Sequence, residues 1–397
     1  MGSTESDVVS KAEAILAAAK KYNGNRQERY ELMKQLDLLY LELEDPVDAL
    51  MRQWTFMNTS TSLDVMVKMG AFEKMPKQGS ITAEELGKLI KLPTGIVVRL
   101  MRMLTGTGVV ALTGEDTYAH TPKSMAYLEG AAVDFFNLCI NMRACYFKWP
   151  EYFKTKSPED LVDLRKTPYS FAYGREGLTF YEVLTENPER FNMFNKAMMQ
   201  QEAGLPILGM FPFKSLEEQV KAEPDRAFMV DIGGGRGQAL LAIANETGNV
   251  FGMNSKLILQ DRPPVLDSVP QDLLPGVEKM PYDFYTEQPV KNAHIYYYRR
   301  IMHNYQDDVC ISILKQAVAA MGPTSRLLIA DLVIPAQTEV GEDMSPYWMD
   351  MVMIAIGGKE RSEKEFKQLL EDVGLEFVKV WREEGGGQAV VEGRLKQ

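Results

Sequence analysis

Ten residues constrain this chain more than any others: from Phe228 to Gly237 it reads FMVDIGGGRG, and the next nine residues read QALLAIANE. The apolar run predicts a buried β-strand, and the glycines that follow suit a turn where the backbone leaves the usual φ range and approaches a ligand closely. QALLAIANE has the spacing of an amphipathic helix. A strand, a glycine turn and a helix in that order demand an α/β domain, with a ligand at the carboxyl end of the strand facing the free N–H groups of the helix.

The spacing also chooses between ligands. Dinucleotide sites prefer G-x-G-x-x-G, whereas this turn is Asp231-x-Gly233-x-Gly235-x-Gly237. An acid directly before the glycines repels a pyrophosphate and can receive a cation, which favours S-adenosylmethionine with its positive ammonium and sulfonium. KLILQD reads as the next strand, and its final residue, Asp261, followed by Arg262, stands where a carboxylate takes ribose hydroxyls. Downstream, KMPYDF, AHIYYY, SRLLIADLV, FVKVW and QAVVEGRL read as further strands with helices between them, notably DDVCISILKQAVAAM and SEKEFKQLLEDVG. This pattern predicts a Rossmann-like, doubly wound parallel sheet. Ligands bind beyond the carboxyl ends of such strands, so the residues of interest are Asp231, Asp261, Asp283, Phe284, Arg299, Arg300, His303 and Asp331.

Composition narrows the function classes. A formal charge of −11 and a pI near 5.1 argue against gripping phosphate backbones, so no nucleic-acid partner is expected. Three cysteines without a C-x-x-C pair suggest neither a disulfide framework nor a structural zinc site; no metal is expected. No window reaches the ~18 apolar residues of a membrane span, and the N-terminus lacks a basic segment leading into an apolar run, so a cytoplasmic protein is expected.

Before the glycine turn the chain reads as mainly helical. ITAEELGKLI, the turn LPTG, IVVRLMRMLTGTGV and the hairpin VALTGEDTYAHTP together predict a winged helix. Its second helix carries little basic charge beyond Arg99 and Arg102 and its hairpin tip is acidic, so packing or dimerisation is the expected role. From Ala131 to Pro212 the chain is rich in aromatics and methionine; Phe180 and Met198 are candidate substrate contacts, although such helical spacing also describes plain core. LPILGMFPF reads as the connection between a helical domain, 1–210, and a cofactor-binding domain, 211–397.

His303 follows the strand ending in YYYRRIM. An imidazole can take a proton from a bound hydroxyl when a carboxylate orients it, and the candidates for that carboxylate are Asp331, after SRLLIA, and Glu360, in GGKERSEKEF. The competing reading is a histidine that caps the helix starting near Gln306.

VDIGGGRGQALLAIA, KLILQD, YYYRRIMHNYQDDVCISILKQ, LLIADLVIP and IAIGGKERSEKEFKQLLEDVGL resemble, in order, the motifs of the caffeic-acid-type (plant-type, class II) O-methyltransferases that use S-adenosylmethionine, and within them the fungal secondary-metabolite branch. The resemblance covers essentially the whole chain, because that family also has an N-terminal winged-helix dimerisation domain. It implies a homodimer in which Gly233, Gly235 and Asp261 hold the cofactor, Asp283 and Phe284 meet the adenine, and Arg299 replaces a customary lysine. It further implies that His303 is the general base, flanked by Asp331 and Glu360. The family usually follows this histidine with Asp-Trp, where this chain has Asn304 and Tyr305; Tyr305 can still stack on adenine.

The reaction so implied is direct SN2 transfer of the sulfonium methyl to a phenolic or N-hydroxy oxygen of a small aromatic, alkaloid or polyketide metabolite, with an acceptor pocket walled by Trp348, Met349, Met353 and Ile356. The alternative is a relative that binds the same cofactor without methyl transfer, as a pericyclase or dehydratase. Retention of the histidine base favours methyl transfer.

Overall fold

The computed structural model describes residues 5–204, 206–247, 256–383 and 387–396. Two compact units emerge, one comprising Met1–Ala144 with Leu184–Gly204, the other Cys145–Val183 with Leu205–Gln397. The chain thus changes units three times rather than once near residue 210, since the aromatic stretch Cys145–Val183 packs with the C-terminal part.

The first unit begins with helices Glu5–Lys21, Arg26–Leu43 and Pro46–Lys68. The last starts at a proline, where the missing N–H costs nothing, and Asp45 caps it by accepting from the Val47 and Asp48 amides. These helices leave Tyr40, Leu50, Trp54, Phe56 and Met57 exposed. The winged helix follows: β1 (Ile81–Thr82), helix Ala83–Ile90 with a Thr82/Glu85 capping box, helix Thr94–Gly106, β2 (Val110–Gly114) and β3 (Thr117–His120), in sheet order β1-β3-β2. Met66, Phe72, Leu86, Val97, Met101, Leu104 and Tyr118 form its core. Its alternation of apolar residues at helical spacing is what the sequence displays.

The second unit is built on β4 (Met229–Ile232), β5 (Leu257–Asp261), β6 (Val277–Pro281), β7 (Ile295–Arg299), β8 (Arg326–Ile334), β9 (Arg361–Ser362), β10 (Leu375–Arg382) and β11 (Gln388–Leu395). The sheet runs β6-β5-β4-β7-β8-β11-β10, with β9 beside the end of β8. Strands β4 to β8 are parallel, but β11 lies antiparallel to β8 and β10 antiparallel to β11. The doubly wound sheet expected from the sequence is therefore parallel through β8 and carries an antiparallel edge. The short connection between β10 and β11 can make only a hairpin, because a parallel return needs a crossover of a dozen residues or more. One face packs against Cys310, Ile313, Leu314, Phe366 and Leu369, the other against Phe213, Leu240, Ile243 and Leu266. With both faces covered, Tyr296, Tyr297 and Tyr298 of β7 are fully buried, which explains a run of consecutive apolar rings instead of an alternation. No helix among the described residues is long and apolar enough to cross a membrane.

Candidate active site

The glycine turn leaves β4 at the middle of the sheet, where the chain order reverses between β4 and its neighbours β5 and β7. Crevices open at such reversals. Gly233, Gly235 and Gly237 have φ of +71°, +58° and +77°, so a side chain at any of them would be strained. At Gly233 a Cβ would also lie 2.6 Å from Ile301 Cδ1, while at Gly235 it would meet nothing within 4 Å. The first glycine therefore serves close packing, and the second leaves open space. The Gly235 amide donates to Asp261 Oδ2 (2.9 Å) and the Arg262 amide to Asp261 Oδ1 (2.7 Å), so the Asp261 carboxylate is fixed at the tip of β5. Asp231 is fully buried. It sits beside Tyr297 in the β4–β7 register, and that tyrosine's buried hydroxyl has no hydrogen-bond partner among the described residues. Two carboxylates around an open glycine cradle suit a cationic nucleoside far better than a pyrophosphate.

After β6 the chain turns at Asp283, whose Oδ1 accepts from the Tyr285 amide (3.1 Å). Phe284 and Tyr305 meet edge to face, 6.1 Å between centroids at 76°, and Tyr285 packs on both. These rings form an aromatic corner, and burial pushes the Tyr305 phenol far above its usual range. Arg299 ends β7. Arg300 follows with φ +57°, an uncommon conformation for a side-chain-bearing residue, and its amide donates to Ala330 O on β8 (3.0 Å).

That kink launches the short turn Met302–Asn304. His303 is buried, and its Nδ1 lies 3.0 Å from Glu360 Oε1, itself buried. A carboxylate oxygen accepts, so in the neutral ring the contact puts the proton on Nδ1 and the lone pair on Nε2. The helix-cap reading fails: helix Asp307–Val318 starts after Gln306 with no side-chain cap, and His303 faces Glu360 instead. Asn304 donates its side-chain amide to Arg300 O (3.0 Å), which an aspartate could not do. Glu360 is the hydrogen-bonded partner; Asp331 is fully buried with neither oxygen hydrogen-bonded among the described residues. Burial raises the Asp331 carboxyl to about 6, with the nearby His303 charge opposing the rise and Glu360 adding to it.

Other side chains in this region escaped the sequence reading. Arg361 is fully buried and grips the backbone around His303. Gly358 lies so close to the turn that a Cβ would fall 2.2 Å from His303 O. Both stand in the run GGKER, where only the glutamate had an evident chemical use. The helix Ser345–Ile356 carries Trp348, Met349, Met353 and Ile356; Met353 is buried, Met349 and Ile356 are half-buried and Trp348 is exposed. Phe180 is buried against Tyr169 and Tyr181, the position of a packing residue. Met198, half-buried, belongs to helix Pro188–Gly204 of the first unit.

A family model for the O-methyltransferase domain matches residues 156–376, and one for the O-methyltransferase dimerisation domain matches residues 53–130. O-methyltransferase hmp5 of Hypomyces subiculosus is 52% identical over 400 residues, spanning 100% of both chains. The chain belongs to the S-adenosylmethionine-dependent O-methyltransferases. The crystal structure of OxaC in complex with SAH and oxaline superposes with a TM-score of 0.82 at 32% identity, covering 98% of this chain and 99% of that one. A structure described as a pericyclic reaction enzyme matches with a TM-score of 0.80 at 25% identity, over 99% and 100% of the two chains. The methyltransferase therefore uses S-adenosylmethionine, and it has the class I methyltransferase fold, with a mixed central sheet and an N-terminal helical dimerisation domain.

Proposed function

We propose that this methyltransferase acts on a phenolic or N-hydroxy oxygen of a small aromatic, alkaloid or polyketide metabolite, with His303 as general base. When bound, the cofactor would supply an electrophilic methyl, the acceptor oxygen forming the new C–O bond as the C–S bond breaks and S-adenosylhomocysteine leaves. The buried His303–Glu360 contact of 3.0 Å carries this reading. Nδ1–H held by a carboxylate leaves Nε2 to receive the acceptor's proton, and the imidazolium so formed is stabilised by Glu360. Such a base is matched to phenols and N-hydroxyls; an aliphatic alcohol near ~16 is too weak an acid for it. Asp331, in the same buried region, adds negative charge when ionised.

In the cofactor cradle, Gly233 and Gly235 admit the backbone approach. Asp231 attracts the cationic amino acid part, Asp261 takes the ribose hydroxyls, and Arg262 and Arg299 flank the site. Asp283, Phe284 and Tyr305 form the adenine corner. Trp348, Met349, Met353 and Ile356 supply an adaptable acceptor wall, and the wall's flexible methionines suit a flat ring system. The working form is a homodimer, consistent with the dimerisation-domain match and with exposed Leu50, Trp54 and Phe56. Its free cysteines, Cys139, Cys145 and Cys310, suit the cytosol.

The pericyclic neighbour at 25% identity motivates the second reading, a cofactor-bound enzyme without methyl transfer. Mass spectrometry of incubations with S-adenosylmethionine and a panel of phenolic and N-hydroxy metabolites separates the two. Methyl transfer yields S-adenosylhomocysteine together with a product one methyl heavier, and His303→Ala abolishes both. Isomerisation or water loss with the cofactor unconsumed would overturn the proposal.

A further inference from the structure

We infer that Arg361 is the positioning residue that fixes His303 against Glu360, an inference that rests on the reading of His303 as the base. His303 rides on a turn of three residues, and so short a helical segment has little stability of its own. Its position must be imposed from outside. The Arg361 guanidinium, fully buried, donates from Nη1 to Met302 O (2.8 Å) and from Nη2 to Tyr305 O (2.8 Å), the carbonyls on either side of His303 and Asn304. Nε and Nη2 both reach Asp307 Oδ1 (2.9 and 2.7 Å), which supplies the counter-charge a buried cation requires. Nη1 also reaches Lys359 O (3.4 Å).

The same segment closes from the other side. The Lys359 amide donates to His303 O (2.8 Å), and Gln306 Nε2 donates to Gly357 O (3.0 Å). Gly358 permits the approach because any side chain there would collide with His303 O. Glu360 is the immediate neighbour of Arg361 in the chain, and its amide is tied to Asp350 Oδ1 (2.9 Å). One guanidinium therefore spans both halves of the His303–Glu360 pair and sets their separation. A lysine cannot reproduce this, since its ammonium is a single point of donation where Arg361 serves separated acceptors in a planar fork.

The test reads the histidine ring directly. The chain contains three histidines, so selective ¹⁵N-histidine labelling gives a spectrum that His120→Gln and His303→Ala assign. In the unaltered protein, the His303 ring proton is expected at Nδ1, the nitrogen that faces Glu360. In Arg361→Lys and in Asp307→Asn, that signal is expected to broaden or mix with the Nε2-protonated form. kcat for methyl transfer to an accepted phenol from the panel falls about tenfold, with cofactor Kd within about twofold. A sharp, unchanged Nδ1–H signal in both variants overturns the inference. If Arg361→Lys fails to fold, Asp307→Asn decides, because asparagine keeps an Oδ1 acceptor for Nε and Nη2 on a side chain that is about half exposed. Turnover retained by His303→Ala would refute the base reading while the tautomer result still judges the clamp; silence in His303→Ala with wild-type behaviour in both clamp variants would refute the clamp alone.

Discussion

Replacing Glu360 by glutamine removes one charge from the pair and leaves its shape. At the observed 3.0 Å between Nδ1 and Oε1, an imidazolium and a carboxylate attract by about 5 kcal/mol gross at an effective dielectric near 20. Most of that is offset by desolvation, and the net worth of a hydrogen bond to a charged group is about 1.5 to 3 kcal/mol. The imidazolium forms only as the acceptor's proton is taken, so this energy is lost from the transition state and not from cofactor binding. Glu360→Gln is therefore expected to slow the methyl-transfer step about ten- to a hundredfold, with cofactor affinity and thermal midpoint little changed. A second effect pushes toward the upper end: if the new amide turns its NH₂ to Nδ1, the ring proton moves to Nε2 and the base lone pair is gone. Single-turnover rates at saturating cofactor, followed by quenched mass spectrometry, isolate the step. A rate within twofold of wild type, in a variant shown to bind the cofactor, would refute the argument that Glu360 stabilises the developing imidazolium.

Gly233→Ala combines a left-handed φ with a Cβ 2.6 Å from Ile301 Cδ1, so it should lower stability by about 2 to 4 kcal/mol and weaken cofactor binding, measured by denaturant titration and calorimetry. Gly235→Ala, with open space at its Cβ, should cost less in stability but still lose cofactor affinity. Asp331 is raised to about 6 by burial; a carboxyl raised in the fold loses stability as pH climbs from its unfolded value through 6, so Asp331→Asn should raise the thermal midpoint most at pH 7.5, about half as much at pH 5, and hardly at all near pH ~3. His294 has the opposite sign. It is fully buried and held below its usual 6.5, first by that burial and then by Arg226, with Glu223 opposing the shift. The unfolded chain takes up a proton that the fold refuses, so stability should fall as pH drops below 6.5, and His294→Gln should flatten that part of the midpoint-versus-pH curve.

The sheet and its cofactor cradle were legible because they are written locally. A strand, its glycines and the next helix are contiguous from Phe228 to Glu246, and the second acid closes the following strand, so period and spacing alone carry the information. The winged helix was legible for the same reason. The antiparallel β10–β11 hairpin was not, because direction depends on the few residues between the strands rather than on the strands' own composition, and FVKVW looks alike either way. Nor could spacing assign Cys145–Val183 to the unit on its far side, since its aromatic residues are equally at home in either core.

The proposed catalytic pair, His303 and Glu360, lies between these extremes. That His303 is a base candidate follows from its scarcity and its place after a strand, but Asp331 and Glu360 were equivalent on paper, 28 and 57 residues away. The fold separates them through β9, whose Arg361 and Ser362 pair in parallel with Val333 and Ile334 at the end of β8, so that Glu360 enters from a neighbouring segment and not from Asp331's own strand. Asp331 remains inside the sheet, its carboxylate buried and without a hydrogen-bond partner among the described residues, while Glu360 reaches the turn that holds His303. A two-residue strand thus decides which acid meets His303. Nothing in the composition of Arg361–Ser362 marks it as a strand, since its pairing exists only once β8 is in place and Arg361 has closed on the Met302 and Tyr305 carbonyls. The partner choice belongs to tertiary structure, and a change that unseats β9 while sparing His303 and Glu360 themselves should impair catalysis as surely as removing the carboxylate.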